Sequence, residues 1–266
     1  MCATCGCAGD DVRVTVVGLE AETTHHDHPH EHAHPHEHAH PHEHAHQHQP
    51  AADARTHTLE LEEAVLARND DLAALNRAWL AERGVAVVNL MSSPGSGKTT
   101  LLERTIAGSS RPVSVVEGDQ ETLYDAQRIR AAGARAVQVN TGSGCHLDAV
   151  MVRRALDELA PEAGSLVVVE NVGNLVCPAL FDLGETRRVV VCSVTEGDDK
   201  PLKYPHMFGS ADLVVLNKTD LLPYVDFDVN RFGTDLRRLR AGVEIVPVSA
   251  RTGEGIDAWQ EWLAEV

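Results

Sequence analysis

From Val85 onward, short apolar runs alternate with stretches whose apolar residues recur at helical spacing. The runs Val85–Met91, Val113–Glu117, Ala136–Val139, Leu166–Glu170, Val189–Val194, Leu213–Asn217 and Glu244–Val248 predict strands. Helices are predicted over Lys98–Ala107, Leu123–Ala132, Leu147–Leu159, Asp235–Arg240 and Ile256–Glu265. Continuous valine-rich strands between helices imply an α/β fold, with a mainly parallel sheet flanked by helices on both faces. Ligands of such sheets sit at the carboxyl ends of the strands. A further amphipathic helix is predicted over Leu59–Arg83, with Leu61, Val65, Leu72, Leu75 and Trp79 on one face and Gly84 ending it.

Before that helix the pattern fails. Residues 1–24 hold a cysteine cluster and a short polar stretch, and thirteen histidines crowd into residues 25–48. His-Pro-His-Glu-His-Ala recurs with a period of six from His28 to Ala45. Nothing in residues 25–58 can bury enough apolar surface to offset chain entropy, so disorder without metal is expected there. Imidazole has an unperturbed pKa of about 6.5, so a tract this dense can ligate metal near neutral pH. The chain therefore divides into a metal-binding segment, residues 1–58, and a single domain, residues 59–266.

Composition narrows the class. The 266 residues are 43% hydrophobic and carry a formal charge of −17. Acidic residues spread along the chain argue against nucleic acid or an anionic membrane surface as the main partner. No apolar run approaches the ~20 residues of a membrane span, and Met1-Cys2-Ala3-Thr4 does not begin a signal peptide. A cytoplasmic location is expected, and the six cysteines then read as metal ligands or core residues rather than disulfides.

The first predicted strand runs into Ser92-Ser93-Pro94-Gly95-Ser96-Gly97-Lys98-Thr99-Thr100, which opens a helix. Glycines let backbone N–H groups turn around phosphate oxygens, and the helix N-terminus adds partial positive charge. This is a P-loop with Ser92 where the general pattern has glycine. Lys98 suits the β- and γ-phosphates, and the Thr99 hydroxyl suits Mg2+. Asn217-Lys218-Thr219-Asp220 follows a strand. The Asp220 carboxylate can accept both the ring N–H and the exocyclic amine of guanine, whereas adenine would leave it buried and unpaired. Lys218 would lie along the base plane, Asn217 would tie this loop to the P-loop, and Ser249-Ala250 suits a backbone contact to the guanine carbonyl.

Two acids stand as candidates for the Mg2+ and γ-phosphate end. Asp119 follows the second strand, and Glu170-Asn171-Val172-Gly173 occupies the place of a DxxG motif. The Gly173 N–H is a candidate γ-phosphate donor. Lys98, Asp119 and Glu170 are the candidate catalytic residues, and which acid positions the attacking water stays open. Asn174 stands where a water-orienting glutamine would follow Gly173, so slow intrinsic hydrolysis is expected.

Two further constellations suit metal. Cys2, Cys5 and Cys7 put three thiolates within six residues, and an α-amine freed by removal of Met1 would complete four donors for Ni2+, or for tetrahedral Zn2+. A redox CxxC is the competing reading. Cys145-His146 and Cys177 emerge near the nucleotide edge of the sheet. Three such ligands leave a tetrahedral site one short, to be filled by water or by a twofold partner. Movement of the loop after Gly173 would move Cys177, coupling metal affinity to nucleotide state. Cys192, mid-strand, reads as core.

Taken together, these motifs resemble the hydrogenase nickel-incorporation GTPases of the HypB family. The likeness rests on Cys2-Ala3-Thr4-Cys5-Gly6-Cys7, the histidine tract, Asn89–Thr99, Glu117-Gly118-Asp119, Gly144-Cys145-His146-Leu147-Asp148, Glu170–Pro178 and Asn217–Asp220. Ser92 matches that family's own pattern. The resemblance implies a SIMIBI-type G domain, of the class that includes signal-recognition GTPases and MinD-like ATPases. It also implies GTP hydrolysis coupled to Ni2+ delivery into the large subunit of [NiFe]-hydrogenase, help from the small metallochaperone HypA, and GTP-dependent homodimerisation. A nickel GTPase serving urease, a metal-storage protein and a zinc chaperone remain as alternatives.

Overall fold

The computed structural model describes residues 13–16, 51–119, 124–142 and 144–266. Cys2, Cys5, Cys7 and the histidine tract lie outside them. The core is one eight-stranded sheet in the order β1-β4-β3-β5-β2-β6-β7-β8. Its strands are β1 (Arg13–Val16), β2 (Ala86–Ser92), β3 (Val113–Asp119), β4 (Arg135–Asn140), β5 (Leu166–Glu170), β6 (Arg187–Ser193), β7 (Leu213–Asn217) and β8 (Glu244–Pro247). β1 runs antiparallel along β4, and the remaining pairings are parallel. All seven strands predicted from the valine runs are present. β1 is an addition, because Val12, Val14 and Val16 alternate inside a stretch that reads as polar.

The helices are α1 (Ala51–Ala81), α2 (Lys98–Gly108), α3 (Tyr124–Ala131), α4 (Ala149–Leu159), α5 (Lys200–Lys203), α6 (Pro205–Ser210), α7 (Val229–Leu239) and α8 (Ile256–Ala264). They cover both faces of the sheet. Strand alternation sends Val88, Leu90, Val168 and Val215 toward α2, α3 and α8, where Leu101, Ile129 and Trp259 meet them. Val87, Val116, Val139 and Val167 point the other way, onto Leu80 of α1 and Leu156 of α4. On that same face Val190, Val214 and Cys192 pack with Phe208 of α6 and Phe232 of α7. Cys192 is core, and burial pushes its thiol pKa up.

α1 departs from the sequence expectation in two ways. It starts at Ala51 rather than Leu59, because Ala51, Ala52 and Ala54 are strong helix formers following Pro50. Its buried face differs in part, since Leu72 and Trp79 are half-buried as expected and Trp79 packs against the core. Val65 and Leu75 are 57% and 65% exposed, whereas Asn69, Ala73, Asn76 and Leu80 are buried. The two asparagines face inward because each finds backbone partners that hydrophobic periodicity cannot reveal.

The loop after Phe181 passes very close to this face. Gly184 has φ +87°, and a Cβ there would lie 2.6 Å from the Ala73 carbonyl oxygen and 2.7 Å from Asn76 Cβ. Gly184→Ala is therefore expected to cost about 2 kcal/mol or more, from backbone strain and overpacking together. Urea unfolding at equilibrium measures this, and a loss under 0.5 kcal/mol would show that α1 yields freely.

Candidate nucleotide cleft and thiolate cluster

β2 delivers Ser92 to the edge of the sheet, and α2 begins at Lys98. The turn between them needs left-handed backbone at Gly95 (φ +74°) and Gly97 (φ +99°). A Cβ at Gly97 would also fall 2.5 Å from the Asn217 amide nitrogen. That contact exists because Asn217 Nδ2 donates to the Ser96 carbonyl at 2.9 Å. Its Oδ1 accepts from the Lys218 and Ala250 backbone N–H groups at 2.7 and 3.1 Å. One side chain thus joins three sequence motifs. Lys218 Nζ donates to the Gly95 carbonyl at 2.7 Å, and Asp220 accepts from Ser249 Oγ at 2.7 Å.

On the other side of the P-loop lies a cleft of about 420 Å3, lined in part by Pro94, Lys98, Thr99, Thr100, Asp119 and Gly173. Lys98 Nζ donates to Ser92 Oγ at 2.7 Å, so the serine at the P-loop's first position holds the lysine. Burial lowers the Lys98 pKa, opposed by the Glu170 charge. Thr99 donates to Glu170 Oε1 at 2.9 Å. Asn217, Lys218, Asp220, Ser249 and Ala250 do not line this cleft; they gather at the opposite end of the P-loop.

Three cleft residues were not singled out from sequence. Glu117 pairs in register with Glu170 across β3 and β5, and both are buried. The cleft also includes Asp125 and Arg128 of α3. Arg128 donates to Glu103 at 2.7 and 3.0 Å and to Thr100 Oγ1 at 3.3 Å. Glu117 was legible as an acid two residues before Asp119 in a valine strand; no local motif marks Asp125 or Arg128. Burial, and after it the charges of Glu170, Asp125 and Asp119, raise the Glu117 pKa to about 8. Burial raises that of Glu170 as well. Glu117 Oε2 and Glu170 Oε2 are buried without a hydrogen-bond partner among the described residues. Crowded carboxylate oxygens beside the Thr99 hydroxyl fit a hard divalent cation such as Mg2+.

Hydrogen bonds through Asn171 link the cleft to the second constellation. Asn171, also in the lining, accepts from the Leu147 N–H at 3.2 Å and donates to Asn89 Oδ1 at 3.3 Å. Leu147 follows Cys145-His146, and the chain beyond Asn171 reaches Cys177 at the start of a 3-10 turn. Ligand atoms of Cys145, His146 and Cys177 all lie within 4.8 Å of one another. The His146 ring stacks on Phe181 at 3.8 Å, and burial lowers its pKa against the opposing Asp148 charge. Two sulfurs and a neutral imidazole suit Ni2+ or Zn2+, with a fourth position open.

Residues 86–247 match the CobW/HypB/UreG nucleotide-binding domain family. Hydrogenase maturation factor HypB of Azotobacter vinelandii is 56% identical over 212 residues, which is 79% of this chain and 70% of that protein. The chain belongs to the HypB family. HypB proteins are hydrogenase maturation factors, and the P-loop makes this one a nucleotide-binding GTPase of that kind. Two solved HypB structures agree with the fold. HypB of Helicobacter pylori, crystallised in complex with nickel, is 40% identical with a TM-score of 0.72, covering 74% of this chain and 94% of that one. HypB of Archaeoglobus fulgidus is 41% identical with a TM-score of 0.70, covering 75% and 98%. Among the described residues no helix is long and apolar enough to cross a membrane.

The carboxylate pair has a pH signature. The folded pKa of Glu117 lies above its ordinary 4.5, so its stabilising contribution is full below pH ~4.5 and is lost as pH rises through about 8. In metal-free buffer, Glu117→Gln should therefore gain stability relative to wild type as pH rises from 5 to 8. Urea unfolding across that range checks it. A difference independent of pH would contradict a buried, proton-holding Glu117.

Proposed function

We propose that the chain is a slow GTPase that couples its cycle to Ni2+ insertion into [NiFe]-hydrogenase. The observation that carries this is the segment from Glu170 to Cys177. It begins on Thr99 in the nucleotide cleft and ends on a thiol beside Cys145 and His146.

In this reading Gly95, Ser96, Gly97, Lys98, Thr99 and Thr100 cradle the phosphates. Asn217, Lys218 and Asp220 read guanine, with Ser249 and Ala250 completing the base pocket. Thr99, Asp119 and Glu170 would hold Mg2+, which when bound would neutralise phosphate charge. Lys98 stabilises charge on the leaving oxygen, Asp119 or Glu170 orients water, and the Gly173 N–H meets the γ-phosphate. Gly173 already packs against the P-loop, since a Cβ there would lie 3.0 Å from Pro94. Asn174 carries its carboxamide one methylene shorter than glutamine, and its Oδ1 already accepts from the Val176 N–H at 2.8 Å, so hydrolysis is slow.

Ni2+ is the cargo. Cys145, His146 and Cys177 form the inner site, which also accepts Zn2+. Cys2, Cys5 and Cys7 form a second site in the metal-binding segment, residues 1–58, and the histidine tract stores further ions. The working partners are a second copy of this chain bound in the GTP state, the small metallochaperone HypA and the hydrogenase large subunit, all in the cytoplasm.

Two measurements test the reading. Asp220→Asn replaces an acceptor with a donor, so GTP affinity should fall by ~10²–10⁴-fold while xanthosine triphosphate binds better than it does to wild type. Equal losses for both nucleotides would remove Asp220 from base recognition. Ni2+ should change the GTP hydrolysis rate of wild type and leave that of Cys145→Ala unchanged. Identical responses would detach the thiolate cluster from the GTPase cycle.

A further inference from the structure

α1 is held to the domain by an unusual face. Asparagine is a poor helix former, and burying its amide costs free energy unless every polar atom is matched. Yet Asn69 and Asn76 are 6% and 2% exposed, on the side of α1 that meets the sheet domain.

Their partners fall on two loops only. Asn69 Nδ2 donates to the Asp182 carbonyl at 2.8 Å, and its Oδ1 accepts from the Ala149 N–H at 2.9 Å. Asn76 Nδ2 donates to the Ala149 and Leu183 carbonyls at 2.9 and 3.0 Å. Ala149 opens α4 directly behind Cys145-His146. Asp182 and Leu183 continue the segment that begins at Cys177, and Phe181, just before them, stacks on His146. Gly184 lets that segment pass against Ala73 and Asn76. Arg77 adds an ion pair to Asp182 at 2.8 Å.

These bonds are long-range in sequence and short-range in space. Each asparagine touches both loops, one bearing Cys145 and His146 and the other leading back to Cys177. Among the described residues no direct hydrogen bond joins Ala149 to Asp182 or Leu183; the amides of α1 bridge them. We infer that Asn69 and Asn76 are positioning residues for the thiolate–imidazole cluster, fixing the separation of the two ligand-bearing loops. The inference rests on reading that cluster as a metal site. Groups behind metal ligands typically change metal affinity by 10–100-fold when replaced, because they set ligand geometry before the ion arrives.

The test uses the full chain with Cys2, Cys5 and Cys7 changed to alanine. In that background the thiolate-to-Ni2+ charge-transfer absorption reports the cluster and is silent for the histidine tract. Asn76→Leu keeps the branched, four-heavy-atom shape of the side chain and removes both bonds. It should weaken Ni2+ binding by 10–100-fold and shift the charge-transfer band, while GTP hydrolysis without nickel changes less than twofold. Leu80→Ala is the control, since Leu80 is buried on the same face of α1 and packs against apolar neighbours. It should destabilise the fold and leave Ni2+ affinity within twofold. If Asn76→Leu does not fold, Asn69→Ala leaves both Asn76 bonds in place and carries the same expectation. Ni2+ affinity unchanged in the asparagine variant, or reduced equally in Leu80→Ala, would overturn the assignment. A background protein lacking any charge-transfer band that Cys145→Ala removes would overturn the metal-site reading itself, and this inference with it.

Discussion

The hydrogen bond from Thr99 to Glu170, 2.9 Å long and buried, fixes the end of β5 against the P-loop. Everything distinctive about this molecule hangs from the chain that leaves that point. Asn171 reaches across to Leu147 and back to Asn89, and Asn89 in turn donates to Glu185 at 3.2 Å. Glu185 accepts from the Leu183 N–H at 2.7 Å and from Arg188 at 2.7 Å. A buried polar network therefore runs from the nucleotide cleft, under β2, to the backbone behind Phe181. Such networks have few satisfied arrangements, so a shift at one end cannot be absorbed gradually. That property is what the proposed gating of metal by nucleotide requires.

The electrostatics of the cleft point the same way. Glu117 and Glu170 sit side by side in adjacent strands, Asp119 and Asp125 lie near, and the nearby cations are Lys98 and Arg128. Arg128 is already matched by Glu103 and Asp125. Burial and its acidic neighbours raise the Glu117 pKa to about 8, so it holds a proton near neutral pH unless positive charge enters. A divalent cation bound with nucleotide would supply it, beside the Glu170 carboxylate that anchors the segment to Cys177. Ser92 belongs to the same logic. Where other P-loops have glycine, its hydroxyl accepts from Lys98 and holds the amine at the cleft wall.

What the sequence makes legible here is local. Valine runs mark strands because burial on both faces leaves no polar alternation to read, and all seven so marked lie in the sheet. The P-loop and the Asn217–Asp220 loop are each contiguous, so their chemistry is written in consecutive residues. β1 escaped because its alternation is short and lies between polar stretches. The face of α1 was misread for a deeper reason. Hydrophobic periodicity assumes that burial follows apolarity, but Asn69 and Asn76 are buried for their hydrogen bonds while Val65 and Leu75 face outward. Glu117 meets Glu170 only through strand register, and Arg128 reaches Thr100 only through the packing of α3 on α2. None of these pairings leaves a trace in linear spacing.

Under the proposed function the nucleotide cleft and the thiolate cluster are linked, and linkage is reciprocal. Nickel affinity of the Cys145, His146 and Cys177 cluster, measured with GDP and then with a nonhydrolysable GTP analogue, tests it most directly. The two dissociation constants should differ by at least ~5-fold, with nickel shifting the preference between the two nucleotides by the same factor. Equal nickel affinity in both nucleotide states would contradict it.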